Sequence, residues 1–201
     1  MQTNSQLRQT AKEQLTGRWK PVLIVTLVYF VIIGACAALP KVGSLVMLLV
    51  AGPLAMAWAM MTLKLVRNGE TPAVEGLFTT FCKEWYLKSV ALNLLVGIYT
   101  LLWSLLLLVP GVIKALAYSM STFVLADNPD MTCEQAICES MRLMQGHKMD
   151  LFLIMLGLFG LTLLSMLLAG IPLLWLMPYY QTVFANFYTG LKDEDAAAAQ
   201  A

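Results

Sequence analysis

Three long apolar stretches constrain the fold of this chain more than any other feature of its sequence. They cover residues 21–66, 89–126 and 151–188. One helical crossing of a bilayer takes about 20 residues, so each stretch is long enough for two crossings and too long for one. A break that contains proline interrupts each stretch, at residues 39–41, 109–111 and 170–172. Since proline and glycine are typical of turns, we expect an all-α membrane protein with six transmembrane helices in three hairpins.

The composition supports this interpretation. Hydrophobic residues make up 59% of the 201 residues and charged residues only 12%, about half the share of a soluble domain. Such a chain cannot cover a folded surface with solvated side chains, which excludes a soluble enzyme domain, a disordered chain and a nucleic-acid binder. We expect one membrane domain over residues 1–192. The charged, alanine-rich residues 193–201 predict a disordered tail.

A polar segment with helical periodicity precedes each hairpin. The positions that share one largely apolar helix face are Leu7, Ala11, Leu15 and Trp19 in the first segment, Val74, Leu77, Phe78, Phe81, Cys82 and Trp85 in the second, and Ala136, Ile137, Ser140, Met141 and Met144 in the third. This spacing predicts three amphipathic helices. Their expected starts are capping boxes at Thr3-x-x-Gln6 and Thr132-x-x-Gln135 and an N-cap at Thr71-Pro72.

Two interpretations of these helices are open. Each either packs its apolar face on neighbouring helices or lies in the headgroup plane of the membrane. The aromatic side chains of the second segment favour the headgroup plane. The candidate interfacial anchors are Trp19, Phe78, Phe81 and Trp85.

The same order of elements occurs three times, in residues 3–68, 71–128 and 131–190. Each unit would hold an amphipathic helix, an apolar helix, a turn and a second apolar helix. Because each unit crosses the membrane twice, the three would have the same orientation and form a threefold parallel repeat. Chance similarity of hydropathy is the alternative, since the units share few identical residues.

Positive charges predict the orientation. In the six-helix arrangement, eleven of the 13 lysines and arginines fall on one side, and Lys41 and Lys114 are the exceptions. Cytoplasmic loops carry this excess, so we expect both termini and all three amphipathic segments in the cytoplasm.

Polar groups within the predicted spans give one candidate contact site. The spans contain no Asp or Glu, which argues against a proton- or cation-coupled carrier. Lys114, Tyr118 and Ser121 lie on one helix face and are the candidate ligand or lipid contacts. Two alternatives are open for Lys114: it snorkels to the headgroups, or it binds an anionic lipid or ligand.

Prolines mark candidate helix breaks at Pro53, at Pro110 with Gly111, and at Pro178. A broken helix at membrane depth lines a cavity or is simply kinked, and both alternatives are open. No catalytic set, metal site or cofactor motif is recognisable. His147 is the single histidine, and the four cysteines lack metal-binding spacing.

Three motifs stand out in the chain: Val109-Pro110-Gly111, Leu125-Ala126-Asp127-Asn128-Pro129 and Met144-Gln145-Gly146-His147-Lys148. Nearly the whole chain resembles a bacterial membrane-protein family catalogued as domain of unknown function 975 (DUF975), and the region of these motifs is the most specific part of the resemblance. The resemblance implies six helices in a bacterial cytoplasmic membrane and supplies no mechanism. The same region is distantly similar to membrane domains attached to some glycerophosphodiester phosphodiesterases, but no catalytic domain accompanies it here.

Two functions are compatible with these features. The first is a non-enzymatic scaffold or accessory protein whose amphipathic helices bind membrane lipids or a partner, either another membrane protein or a second copy. The alternative is a small transporter or channel, with the proline-broken helices around the path and Lys114 favouring anionic cargo. We expect no enzyme activity, no cofactor and no nucleic-acid partner.

Overall fold

The computed structural model describes residues 4–39, 43–167, 170 and 172–198. In these residues the regular structure is entirely helical, which confirms the all-α prediction. It consists of α1 (Asn4–Leu15), α2 (Trp19–Ala37), α3 (Gly43–Asn68), a 3₁₀ helix (Val74–Phe81), α4 (Lys83–Leu106), α5 (Leu108–Tyr118), α6 (Ser121–Asp127), α7 (Cys133–Leu143), α8 (Lys148–Leu167) and α9 (Leu173–Ala198).

Five helical segments of the described chain are long and apolar enough to cross a membrane. They are Trp19–Ala37, Val46–Asn68, Trp85–Leu105, Val109–Asp127 and Lys148–Leu167. Helix α9 is not among them, because Tyr179, Gln181 and Asn186 interrupt its apolar sequence. The six-span arrangement and the threefold repeat therefore stay predictions, as do the domain boundaries.

Helix α3 lies at the centre of the bundle. It packs against α2, α4, α6, α9 and the 3₁₀ helix, and more than half of its span is buried. Met56, Ala59 and Leu63 belong to the main core, which also takes side chains from α1 and from α4 to α9. Lipid tails are as apolar as these side chains, so close packing rather than exclusion of water must hold such helices together.

Two glycines allow α4 to approach its neighbouring helices closely. A Cβ at Gly52 in α3 would lie 2.6 Å from the backbone oxygen of Ser89 in α4. A Cβ at Gly111 in α5 would lie 2.5 Å from Ser104 Oγ in α4. Small residues of this kind let neighbouring backbones approach, which strengthens packing in a membrane.

The first and third amphipathic segments pack on the bundle. Leu7, Ala11 and Leu15 of α1 are buried, and α1 lies against α9 and α8. In α7, Thr132 and Gln135 form the predicted capping box. Its apolar face is also buried, through Ala136, Ile137, Ser140 and Met144. The packing alternative is thus correct for these two segments, while Thr3-x-x-Gln6 lies partly outside the described residues.

The second segment differs from its prediction. Thr71 and Pro72 do not start a helix, and the segment forms a 3₁₀ helix that follows Ala73. Leu77 and Thr80 are its buried residues, and their spacing of three matches the three residues per turn of a 3₁₀ helix. The Thr80 hydroxyl donates to the Pro53 backbone oxygen at 2.8 Å, which fixes this helix along α3.

The second hairpin turns at Leu107, whose backbone is extended, rather than at Pro110 and Gly111. Both residues lie in the first turns of α5, where proline is tolerated because its missing N–H has no helical partner. A second interruption separates α5 from α6 at residues 119–120. The first and third predicted breaks, at residues 39–41 and 170–172, lie partly outside the described residues.

Pro53 and Pro178 lie inside continuous helices, so the prediction that they break α3 and α9 is wrong. The predicted disordered tail is also wrong for residues 193–198, because α9 continues to Ala198. Asp195 bonds to Arg142 of α7 there, and this ion pair supports the last turns of α9.

We predict that Gly52→Ala lowers the free energy of unfolding by about 1–3 kcal/mol, since the new Cβ meets a backbone that cannot move aside. Gly97→Ala in α4 is the matched control, because nothing lies within 4 Å of a Cβ there. The control should be neutral or stabilising by up to about 1 kcal/mol, from helix propensity. Thermal unfolding in lipid nanodiscs measures both, and equal effects would contradict the prediction.

Candidate functional site

The predicted contact residues Lys114, Tyr118 and Ser121 do not form one open site. Lys114 Nζ lies 4.8 Å from the ring centroid of Trp103 on α4, a cation–π contact. Tyr118 is only 5% exposed, with its ring centroid 6.3 Å from that of Tyr99. The buried Ser121 hydroxyl donates to the Tyr118 backbone oxygen at 2.7 Å. Lys114 alone is partly open to a ligand.

Two of the four predicted interfacial anchors are exposed. Phe78 is 52% and Phe81 36% exposed, and their ring centroids are 6.2 Å apart. We call these two side chains the aromatic patch. Trp85 packs against the main core, and Trp19 packs against Leu15, Val22 and Leu65. The indole rings therefore contribute mainly to helix packing.

The 3₁₀ helix holds the aromatic patch in a fixed position. Its buried residue Leu77 packs with Val25 of α2 and with Leu54 of α3. Gly76 lies against the Met61 side chain, which a Cβ at this position would displace. The segment therefore presents two aromatic rings from a well-packed base.

An apolar groove lies between α5 and α8. It has a volume of ≈ 500 Å³. Its lining residues are Val109, Val112, Ile113, Leu116, Lys148, Met149 and Phe152. Lys148 is the one charged residue among them. An apolar lining with a lysine suits a lipid acyl chain that carries an anionic group at one end.

The gap beside Pro178 is small. The gap beside Pro178, which Val22 and Trp58 also line, has a volume of ≈ 10 Å³. This space holds at most one water molecule. Pro53 is buried, and its carbonyl oxygen accepts the bond from Thr80. Of the two alternatives for these prolines, the kink fits the described residues better than a ligand cavity does.

An ion cluster that the sequence analysis missed joins the ends of three helices. Asp127 at the end of α6 accepts bonds from Arg67 of α3, from Lys192 Nζ of α9 at 2.5 Å and from Tyr188 Oη at 3.1 Å. The Asp127 side chain is 12% exposed. The sequence signal was a carboxylate directly after an apolar run, but its partners lie about 60 residues away.

A second ion cluster joins α7 to the end of α9. The Arg142 guanidinium binds Glu139 at 2.7 Å and Asp195 at 2.6 Å. Hydrogen bonds from Arg142 lower the pKa of both carboxyl groups below their ordinary values. Both clusters have structural partners throughout, so they act as ties between helices.

Groups for chemistry are sparse. Among the described residues, no three His, Cys, Asp or Glu side chains are grouped so that they could hold a metal ion. His147 lies 3.5 Å from Asp150, within its own turn. The absence of enzyme activity stays a prediction.

Five apolar helices long enough to cross a membrane, packed around a central helix, are those expected of a multi-pass α-helical membrane protein. The chain matches the family described as "Protein of unknown function (DUF975)" over residues 1–116 and 105–195, and it belongs to that family. No curated protein and no solved structure matches it. The resemblance to membrane domains of glycerophosphodiester phosphodiesterases stays a prediction.

We predict that Asp127→Asn lowers the free energy of unfolding by about 1–3 kcal/mol, because it leaves Arg67 and Lys192 without their shared anion. This loss of stability is smaller than the loss expected for a fully buried ion pair, since Arg67 and Lys192 are both partly exposed to solvent. The exposed Asp130→Asn is the matched control and should be neutral. Unfolding in detergent measures the difference, which added salt should reduce.

We also predict that the contact of α9 with α7 depends on pH. Folded-state pKa values of Glu139 and Asp195 are lowered, so their contribution is fully present above the unfolded pKa values, near 4, and is lost as pH falls through the folded values. Hydrogen exchange of residues 191–198 should stay slow from pH 8 to 5 and, after correction for the intrinsic rate, accelerate below pH 4. In Arg142→Gln it should be fast throughout.

Proposed function

We propose that the protein is a non-enzymatic accessory protein of the bacterial cytoplasmic membrane that binds lipid through its aromatic patch. The observation that carries this proposal is the exposure of Phe78 and Phe81 on a rigid 3₁₀ helix. The apolar faces of α1 and α7 are already covered by the bundle. Of the three amphipathic segments, the second is thus the one whose aromatic side chains are not covered by the bundle.

The proposal includes six spans, with α9 as the sixth. Lys192 of α9 and Arg67 of α3 share Asp127, which supports the same direction for these two helices. Because the lysines and arginines gather at this end, we place it and both termini on the cytoplasmic side. Phenylalanine rings next to basic residues suit the boundary between headgroups and acyl chains.

The alternative function, a small transporter or channel for anionic cargo, has less support. The span of α3 fills the centre of the bundle, and the gap beside Pro178 is too small for cargo. Lys114 lies over the Trp103 ring, between two helices that are in close contact. These surroundings fit a cation–π contact within the helix packing better than they fit the lining of an open transport path.

The test replaces the patch and measures its depth. A fluorophore on the native, exposed Cys82, with the other three cysteines replaced by Ala, reports on the neighbouring Phe81. In vesicles, a quencher attached to lipid headgroups should reduce its fluorescence strongly. Phe78→Ser with Phe81→Ser should reduce this quenching at least about threefold, because exposed serine side chains gain nothing from lipid.

The matched control keeps an apolar surface of similar size, with Phe78→Leu and Phe81→Leu. These substitutions should preserve most of the quenching. If iodide in the aqueous phase quenches the label as strongly in the native protein as in the serine variant, the patch does not enter the membrane. A stoichiometric partner protein bound through Phe78 and Phe81 would then explain their exposure instead.

A further inference from the structure

Arg8 occupies an unusual place for a charged residue of the N-terminal segment. Its neighbours Leu7 and Ala11 hold α1 against the bundle, and Arg8 itself is half-buried. The guanidinium reaches α8, where a Cβ at Gly157 would collide with Arg8 Nη2. Gly157 is near the middle of the candidate span Lys148–Leu167. A cation thus lies beside the central part of a membrane helix.

Polar groups from three helices surround this position. Tyr179 Oη donates to the backbone oxygen of Arg8 at 3.4 Å. Tyr180 Oη lies 2.6 Å from Thr162 Oγ1 and 2.5 Å from the backbone oxygen of Leu158. We call the set of Arg8, Gly157, Tyr179 and Tyr180 the Arg8 site.

The charge at this site lacks a partner among the residues that the structure describes. Arg8 Nε is buried, and none of those residues accepts a hydrogen bond from it. No carboxylate of the described residues forms an ion pair with Arg8, in contrast to Arg67 and Arg142. An unpaired cation at membrane depth is costly, and such residues usually mark a bound ligand or a functional path.

We propose that the Arg8 site binds a phosphate group. A guanidinium offers a planar fork of N–H donors that matches two phosphate oxygens, and the nearby tyrosine hydroxyls suit a polar headgroup. The phosphate belongs to an anionic membrane phospholipid or to a soluble phosphate compound. This site is separate from the aromatic patch, so it does not rest on the lipid contact proposed for Phe78 and Phe81.

The experiment compares thermal unfolding and ligand affinity in nanodiscs. Phosphatidylcholine nanodiscs are the reference, and phosphatidylglycerol or inorganic phosphate is added in two separate arms. Arg8→Gln removes the charge, and Gly157→Ala keeps it but displaces the guanidinium. Lys12→Gln is the matched control, one turn further along α1 and exposed.

We expect the native protein and Lys12→Gln to bind phosphatidylglycerol equally, and Arg8→Gln and Gly157→Ala to bind it at least about tenfold more weakly. If Arg8→Gln loses the response to phosphatidylglycerol that the native protein shows, the ligand of the site is a lipid headgroup. A response to inorganic phosphate alone that depends on Arg8 identifies a soluble phosphate compound, and both results support the site.

A further readout separates binding from folding. In phosphatidylcholine alone, Arg8→Gln should melt at the same or a higher temperature than the native protein, because it removes an unpaired charge. Unfolding of Arg8→Gln in phosphatidylcholine would overturn the proposal, since Arg8 would then have a partner within the protein. Equal binding by the native protein and Arg8→Gln, or equal losses in Arg8→Gln and Lys12→Gln, would overturn it as well.

Discussion

Close packing around α3 is the interaction on which the rest of this structure depends. In a membrane the apolar effect does not drive helices together, so contact distance and internal hydrogen bonding decide their association. Gly52 lets α3 and α4 meet at their backbones, and the adjacent Pro53 carbonyl accepts a bond from the 3₁₀ helix. A single turn of α3 therefore positions both the second hairpin and the aromatic patch, which makes the patch a product of helix packing.

Ion clusters complement this packing where the helices end. Asp127 draws on α3 and α9, and Arg142 draws on α7 and α9. Both clusters hold the last part of α9, whose polar residues make it the least lipid-like of the long helices. Charge pairing thus stabilises the end of α9 in addition to its buried core side chains, such as Val183 and Phe187. The strength of this charge pairing depends on salt concentration, and that of the Arg142 cluster also depends on pH, whereas apolar packing depends on neither.

Hydropathy was sufficient to predict the helical class and the apolar helices, and the Thr132-x-x-Gln135 spacing predicted the capping box of α7. The local sequence pattern gave wrong predictions where contacts between distant residues determine the structure. An eight-residue segment with Leu77 and Thr80 fits either helix period, and its contact with Pro53 selects the 3₁₀ form. Leu107 carries no turn signal, whereas Pro110 and Gly111 do. The close contact of Gly111 with Ser104 of α4 nevertheless requires Pro110 and Gly111 to lie within α5, after the turn. The partners of Asp127 and the burial of Arg8 involve residues far apart in sequence.

The positive charges that indicate orientation have other functions as well. Arg67, Arg142 and Lys192 bind carboxylates, Lys114 lies over Trp103, and Arg8 is directed into the bundle. Removing any of these changes packing together with the charge balance across the membrane. Lys12 and Lys20 are exposed. A change in topology after their removal would therefore report on the positive-inside rule itself, whereas the same change at Arg67 would report on the fold.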